Sequence, residues 1–492
     1  AVNRNCSTCD ELRPVNQGWW PDPVLAVPTV QLTAGVTHSV WITVAAPQHA
    51  AAGNHSSTVA ITVATGSVIR VPFSVRVYPV TLPTTGTLRT AFHLNEPMMQ
   101  KAYADMNESE VHQVFMNFSR RLLTDFRLSP GTIYTENTFT LAELLELQKL
   151  GLNSYNLFDA PSPSRHSPNI SDEKLVAQTE ALVHNNSAFI SSLRDHDLMQ
   201  YATVYGYDES DDLGGLKVVF ARLRQLVPDV HTFTTAHLCD AGNSSVAHVP
   251  GQCRKGAETS VGEFRGRAVP GGGDHAQVPA IIKELSIDYP CPIMEWLKLE
   301  DVRACQAAQI KMWSYLSLEP YQPLLNWRLD NRLYEPRLVF WQVAQLRLYG
   351  FLYCDLNAWT HAPPGQTLRP INLANTSVFL DPKAWSQATR TGWWLQGDAK
   401  LLYASTTGVI PSIRLHAIRD GSEDHQLLSM LREQEGDAAT EAIMAPVVTA
   451  GHLDQHTDDP RVIVAQRRRL LQALAERGPA PGKPRAVAAN VP

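Results

Sequence analysis

No apolar run in this 492-residue sequence is long enough to span a bilayer, so no transmembrane helix is expected. Charged residues are scarce at 18%, against about 25% in ordinary soluble domains. The 42 Lys and Arg are outnumbered by 48 Asp and Glu, for a net charge of −6. A general nucleic-acid binder shows a basic surplus on some domain, so no nucleic-acid partner is expected. Also missing are H-E-x-x-H, G-x-S-x-G and P-loop patterns, and a G-x-G-x-x-G turn after a first strand. The last absence weakens a dinucleotide-binding reading. The 17 histidines do not gather at metal-ligand spacing, and no metal or organic cofactor is implied. No internal repeat is visible. The chain opens on Ala1 without a signal-peptide pattern, which fits a mature end or a fragment edge.

Cysteines number seven, an odd count that leaves at least one thiol unpaired within the chain. Cys6 and Cys9 form a C-x-x-C with no second pair at zinc spacing, which reads as a local disulfide or two plain thiols. Cys239 and Cys253 flank a polar loop that they can close. Eight N-x-S/T triplets begin at Asn5, Asn54, Asn107, Asn117, Asn169, Asn185, Asn243 and Asn375. They suit a glycosylated protein that is secreted or held in the secretory lumen.

With 44% hydrophobic and 8% aromatic residues, the composition is that of a globular protein of several domains, or of one large barrel with an accessory domain. Residues 1–85 read as a small β-sandwich, from alternating segments at 38–44, 59–63 and 71–77 separated by Gly-, Pro- and Asn-rich turns. Pro79, Pro83 and Gly86 mark a linker. The pattern then changes period. Helices are expected over 107–128, 141–150, 172–198, 213–226, 302–309 and 335–349. Strands are expected over 153–158, 200–205, 230–235, around 287, and over 310–316 and 351–355. Asn107 is placed to cap its helix. Alternation at this density implies a parallel sheet, and residues 86–435 fit a (β/α)8 barrel, with a doubly wound sheet as the alternative. A Gly-, Ser- and His-rich stretch at 239–277 interrupts the alternation as an inserted loop. Residues 436–492 read as a C-terminal helical segment ending in a flexible tail.

The strongest local signal is Tyr205-Gly-Tyr-Asp-Glu-Ser-Asp-Asp212, where a strand runs into four carboxylates just before a helix. In a barrel this is the strand end where active sites are built. Acidic residues at such a point also cap the next helix, the role read for Ser210, Asp211 and Asp212. Asp208 and Glu209 remain as a catalytic pair. Two close carboxylates repel, which leaves one protonated beside an ionised neighbour, as general acid catalysis requires. Trp313, Tyr315, Trp327, Trp341, Tyr353 and Trp359 fall on or near later strand ends, where rings either pack a core or stack on sugars. His93, on the first barrel strand, reads as a hydrogen-bonded barrel residue.

At three segments the sequence resembles glycoside hydrolase family 123. These are the Asp208-Glu209 pair; Tyr334-Glu-Pro-Arg-Leu-Val-Phe-Trp341 with Tyr349-Gly-Phe-Leu-Tyr353 and Asn357-Ala-Trp359; and the run 408–425 from Gly408 to His425. The resemblance spans roughly residues 15 to 435. It implies a β-sandwich ahead of the barrel and removal of a terminal β-linked N-acetylhexosamine, GalNAc first, from a glycan or glycoconjugate. It also implies substrate-assisted retaining catalysis, in which the 2-acetamido oxygen attacks the anomeric carbon. Asp208 would then hold the acetamido N–H, and Glu209 would act as general acid and base. Tyr315, Trp359, Arg337 and Trp313 are the substrate-binding candidates, Tyr315 for the acetamido carbonyl and Trp359 as the floor of the sugar subsite. Arg414, Arg419 and Asp420 are expected in a buried ionic network. Cys354 departs from an expected aromatic residue. The alternatives are a two-carboxylate glycosidase pairing Glu209 with Glu295 or Glu319, and a non-catalytic carbohydrate-binding or cell-surface protein on the same fold.

Overall fold

The structure is a computed structural model. It describes residues 22–26, 29–30, 33, 35, 37, 39–47, 49–64, 66–134, 139–163, 170–210, 212–236, 277–297, 299–317, 320, 323–329, 331–361, 369–370, 372, 397–405 and 408–477. Cys6, Cys9, Cys239, Cys253, Asp211, Glu319, nearly all of the expected loop at 239–277 and the tail from 478 lie outside these residues.

Strands and helices alternate over residues 89–353. The strands are β3 (Arg89–His93), β4 (Pro130–Gly131), β5 (Tyr155–Asp159), β6 (Ala202–Tyr205), β7 (His231–Thr234), β8 (Tyr289–Pro290), β9 (Trp313–Leu316) and β10 (Gly350–Tyr353), after β1 (Gly53–Thr62) and β2 (Val68–Val77). β3 to β10 form two four-stranded sheets, β4-β3-β10-β9 and β5-β6-β7-β8. Every neighbouring pair in both is parallel. This is a mixed α/β fold with parallel sheets. Links cross both seams. Ile293, just past β8, bridges Tyr315 of β9 in parallel, and the Thr132 hydroxyl past β4 donates to the Asn156 carbonyl of β5 at 3.5 Å.

Two hydrophobic clusters flank these strands. The larger joins the outward residues to the helices. The smaller comprises Ala91, Ile133, Tyr205, Phe233, Tyr289, Cys291, Ile293, Trp313, Tyr315 and Leu352, drawn from seven of the eight strands or the residues just past them. Gly350 is needed here: a Cβ at this position would lie 2.3 Å from the Trp313 ring.

Local chemistry sets the helix ends. Asn107 caps helix Glu108–Phe126 in a reciprocal capping box with Glu110, and Thr140 does the same with Glu143 for helix Leu141–Lys149. The single helix expected over 172–198 is two, Asp172–Asn185 and Ser187–Asp195. Asn186 breaks it at φ −98° and ψ 5°, and its amide donates back to the Leu182 carbonyl at 2.8 Å.

A two-sheet sandwich is not seen among the described residues of the N-terminal region. Its described residues hold one antiparallel hairpin, β1 with β2, in which Val59 pairs Val71 and Ile61 pairs Ile69. Residues 39–44, expected as a strand, are irregular and exposed. Alternation records that a chain could pair, and nothing packs this segment into a ladder. Further along, Asp22 anchors the chain to the parallel-sheet region through Arg414, which donates to both Asp22 oxygens at 3.0 and 2.8 Å. Arg414 also donates to the carbonyls of Trp327, Gly397 and Lys400. Arg419 and Asp420 are not in this network. They pair with each other at 2.7 Å on the half-buried side of the same helix, Ile413–Met444.

Candidate active site

β6 is buried along its whole length and ends at Tyr205. At Gly206 the chain passes so close to β5 that a Cβ would sit 2.7 Å from the Ala160 Cβ. The backbone then coils, with Tyr207 at φ 58° and Glu209 at φ 41°, both in the left-handed region. Such conformations cost about 1–2 kcal/mol for a residue with a side chain. The coil resolves the difficulty that adjacent strand residues face opposite ways. The capping duty falls elsewhere: Asp212 Oδ1 accepts from the Gly215 N–H at 2.9 Å and starts helix Leu213–Leu226. Asp208 is exposed and Glu209 half-buried, and neither caps that helix.

Three hydroxyls converge on Asp208 Oδ1: Tyr134 Oη at 2.6 Å, Tyr205 Oη at 2.7 Å and Thr235 Oγ1 at 3.0 Å. Thr235 Oγ1 also accepts from the Glu209 backbone N–H at 3.1 Å, tying the two acids to the end of β7. Tyr315, near the end of β9, donates its hydroxyl to Glu209 Oε1 at 2.7 Å. Burial, reinforced by the nearby carboxylates, pushes the phenols of Tyr134, Tyr205 and Tyr315 well above their usual value. All three therefore stay protonated and serve as donors.

More acid surrounds this pair. Asp159 closes β5 and accepts from Asn156 Nδ2 at 2.7 Å. Burial raises its carboxyl to about 6, and the charge of Asp208 adds to the rise. Past β10, Asp355 Oδ1 lies 3.1 Å from His93 Nε2 and accepts from the Cys354 thiol at 3.1 Å. Burial lowers the His93 imidazole against the pull of Asp355. His93 also meets the Tyr134 ring edge-on at 5.7 Å. Ends of β3, β5, β6, β7, β9 and β10 thus supply one polar cluster. Among the described residues no cluster of His, Cys, Asp and Glu could hold a metal ion.

Of the four substrate-binding candidates, only Tyr315 joins the acid pair. Trp313 is fully buried at the start of β9, with its ring 4.8 Å from Phe233 and 5.7 Å from Tyr289. Trp359 is 1% exposed, its indole N–H donates to the Leu402 carbonyl at 2.9 Å, and Tyr103 closes on its ring. No open face is left for a sugar. Arg337 lies on helix Glu335–Leu346 and donates to Asp424 of helix Ile413–Met444 at 2.6 Å, so it joins two helices. Glu295 sits in the short turn Met294–Trp296 after β8. The residues that sequence reasoning passed over are Tyr134, Asp159, Thr235 and Asp355. Each is a polar side chain at or just past a strand end, and that position is the signal they share.

Residues 274–431 match the model of the glycoside hydrolase 123 catalytic domain. Residues 274–431 are thus similar to a family 123 catalytic domain. That similarity supports glycosidase activity and a carbohydrate substrate. The match includes Tyr315 but begins after Asp208 and Glu209, and the Tyr315–Glu209 hydrogen bond joins the two parts. Among solved structures, a family 123 glycoside hydrolase from Clostridium perfringens, described for glycolipid glycan hydrolysis, aligns with TM-score 0.55 at 11% identity. The alignment covers 88% of this chain and 77% of that one, and the likeness is one of fold. A family 39 glycoside hydrolase from Bacteroides cellulosilyticus WH2 aligns more loosely, with TM-score 0.35 at 11% identity over 76% of this chain and 71% of that one. No curated protein matches.

Proposed function

We propose that this chain is a glycosidase that removes a terminal β-linked N-acetylhexosamine, GalNAc first, by substrate-assisted retaining catalysis. The two parallel sheets are read as halves of one (β/α)8 barrel, since the strands follow chain order and β10 returns to pair with β3. The observation that carries the reading is the different wiring of two neighbouring acids. Asp208 receives three hydroxyls on one oxygen. An oxygen so occupied fixes the carboxylate plane and directs Oδ2 toward substrate. That atom would accept the acetamido N–H and orient the acetamido oxygen toward C1. Glu209 would give its proton to the glycosidic oxygen as the C1–O bond breaks and the oxazolinium ring forms. Its carboxylate would then take a proton from the water that reopens the ring at C1. A pre-positioned internal nucleophile can supply roughly 7–11 kcal/mol of the barrier, so no protein nucleophile is required. Tyr315, now bonded to Glu209, would donate to the acetamido carbonyl.

Secretion belongs to this reading. The four described sequon asparagines, Asn54, Asn107, Asn117 and Asn185, are all exposed.

The test is a panel of aryl β-glycosides of GalNAc, GlcNAc, Gal and Glc, run on the parent, Glu209→Gln and Asp208→Asn. The expected result is turnover of 2-acetamido sugars only, inhibition by a thiazoline mimic of the intermediate, and a loss of about 10²–10⁴-fold in Glu209→Gln. Turnover of glucosides or galactosides would instead indicate the two-carboxylate mechanism. Binding without turnover by the parent would indicate a carbohydrate-binding protein.

A further inference from the structure

A cavity of about 310 Å³ opens at the other end of the strands, beneath the turns that lead into β9 and β10. Its walls come from residues 306–312, from 347–349, from Thr87 and from helix Ile413–Met444. The charged side chains lining it are all cationic: Lys311, Arg347 and Arg432. They are joined by His425, Gln309 and Ser429, and no Asp or Glu lines the wall.

The charge here is only partly compensated. One carboxylate, Asp437 Oδ1, serves two guanidinium groups, Arg347 Nη2 at 2.6 Å and Arg432 Nε at 3.2 Å. Asp437 itself is more than half exposed, with 58% of its side-chain surface open. Lys311 has no carboxylate partner among the described residues, and its ammonium rests over the Tyr349 and Tyr289 rings at 5.0 and 6.0 Å. Arg89 lies on Tyr349 as well, at 5.2 Å, so cations crowd this end of the strands in a chain of net charge −6. His425 is only 6% exposed and reads the local field directly. Burial and the charge of Arg432 hold its imidazole down to about 3, so it is neutral and can offer a hydrogen bond without adding charge.

We propose that this cavity binds a tetrahedral oxyanion, phosphate or sulfate, either free or as an ester group on a larger molecule. Forked guanidinium groups and a rotatable ammonium match such oxygens. Arg347 and Arg432 would share the anion as they now share Asp437, and Lys311 would close the third side. The proposal is independent of the glycosidase reading, because it concerns the opposite end of the strands.

The experiment is isothermal titration calorimetry on the full chain with inorganic phosphate, inorganic sulfate, glucose 6-phosphate, galactose 6-sulfate and acetate, against sodium chloride at equal ionic strength. Saturable binding of phosphate or sulfate is expected, and tighter binding of either sugar ester would identify the larger ligand. Lys311→Gln and Arg347→Gln, both on exposed side chains, should each weaken binding about tenfold. Lys174→Gln, on the distant helix Asp172–Asn185, should leave it as in the parent. Asp437→Asn should tighten it several-fold by releasing both guanidinium groups. Three results would overturn the proposal: no saturable heat beyond chloride, parental affinity in Lys311→Gln and Arg347→Gln, or acetate bound as tightly as phosphate.

Discussion

Replacing Asp159 by Asn should stabilise the protein at neutral pH and hardly at all at pH 4. The carboxyl closes β5 and stands half-buried beside Asp208, which holds it at about 6 rather than the ordinary 3.8. In the unfolded chain it ionises at the ordinary value, so the folded state binds the extra proton between these pH values. Below pH 3.8 both states are protonated and burial carries no charge penalty. As pH rises through about 6 the folded state must ionise the group against burial and a like charge, and stability is lost. About two pH units at about 1.4 kcal/mol each give about 3 kcal/mol at pH 7, trimmed to about 2 by partial solvent screening. Asn keeps the acceptor for Asn156 Nδ2 and removes the ionisation. Urea unfolding followed by tryptophan fluorescence at pH 7.5 and pH 4 reads the difference directly. Equal midpoints at pH 7.5, or an equally large gain at pH 4, would refute the reasoning. Strain of this kind persists where a site uses the group, so the same variant is expected to lose turnover.

Tyr315→Phe removes the donor to Glu209 Oε1 and should lower kcat/KM about 10–100-fold, the equivalent of about 1.5–3 kcal/mol for a hydrogen bond to a charged group, with an unchanged circular dichroism spectrum. Asp424→Ala should destabilise by about 3–5 kcal/mol, because it strips a buried carboxylate from Arg337, Arg467 and the Trp341 indole; KM of the folded fraction should stay at the parental value. His112 bridges Glu96 and Glu143 at 2.9 and 2.7 Å; burial lowers its imidazole, but the two glutamates outweigh that and raise it overall. Its contribution is complete below the ordinary 6.5 and fades as pH rises through the higher folded-state value, so thermal unfolding from pH 5.5 to 9 should show a decline that His112→Gln flattens.

The secondary structure was legible wherever a repeating period met a capping residue. Helix Glu108–Phe126 announces itself by Asn107 and Glu110, and the alternating elements imply parallel sheets. The expectation failed where one side chain acted against the period, as Asn186 does by bonding back to Leu182. Trp313, Trp359 and Arg337 lie apart from the acid pair for another reason. A tryptophan beside a strand end has the same sequence signature whether it faces a solvent-filled cleft or the interior. Only packing decides, and Gly350, Phe233 and Tyr289 enclose Trp313 while Leu402 and Tyr103 close over Trp359.

The same argument explains why the acid pair was readable and its partners were not. Four carboxylates ahead of a helix exceed what one N-terminus can use, and among the described residues it is Asp212 that caps. The surplus is visible in one dimension. The hydroxyls of Tyr134 and Thr235 come from positions 74 and 27 residues away from Asp208 along the chain. Each is unexceptional in its own segment, and parallel pairing alone gathers strand ends on one side. Two neighbouring residues still point apart unless the backbone leaves the strand, which Tyr207 and Glu209 accomplish at positive φ. An unfavourable conformation of that sort needs outside support. Here the Thr235 hydroxyl holds the Glu209 N–H and the Asp208 carboxylate together, so the residue that relieves the strain also aligns the two acids.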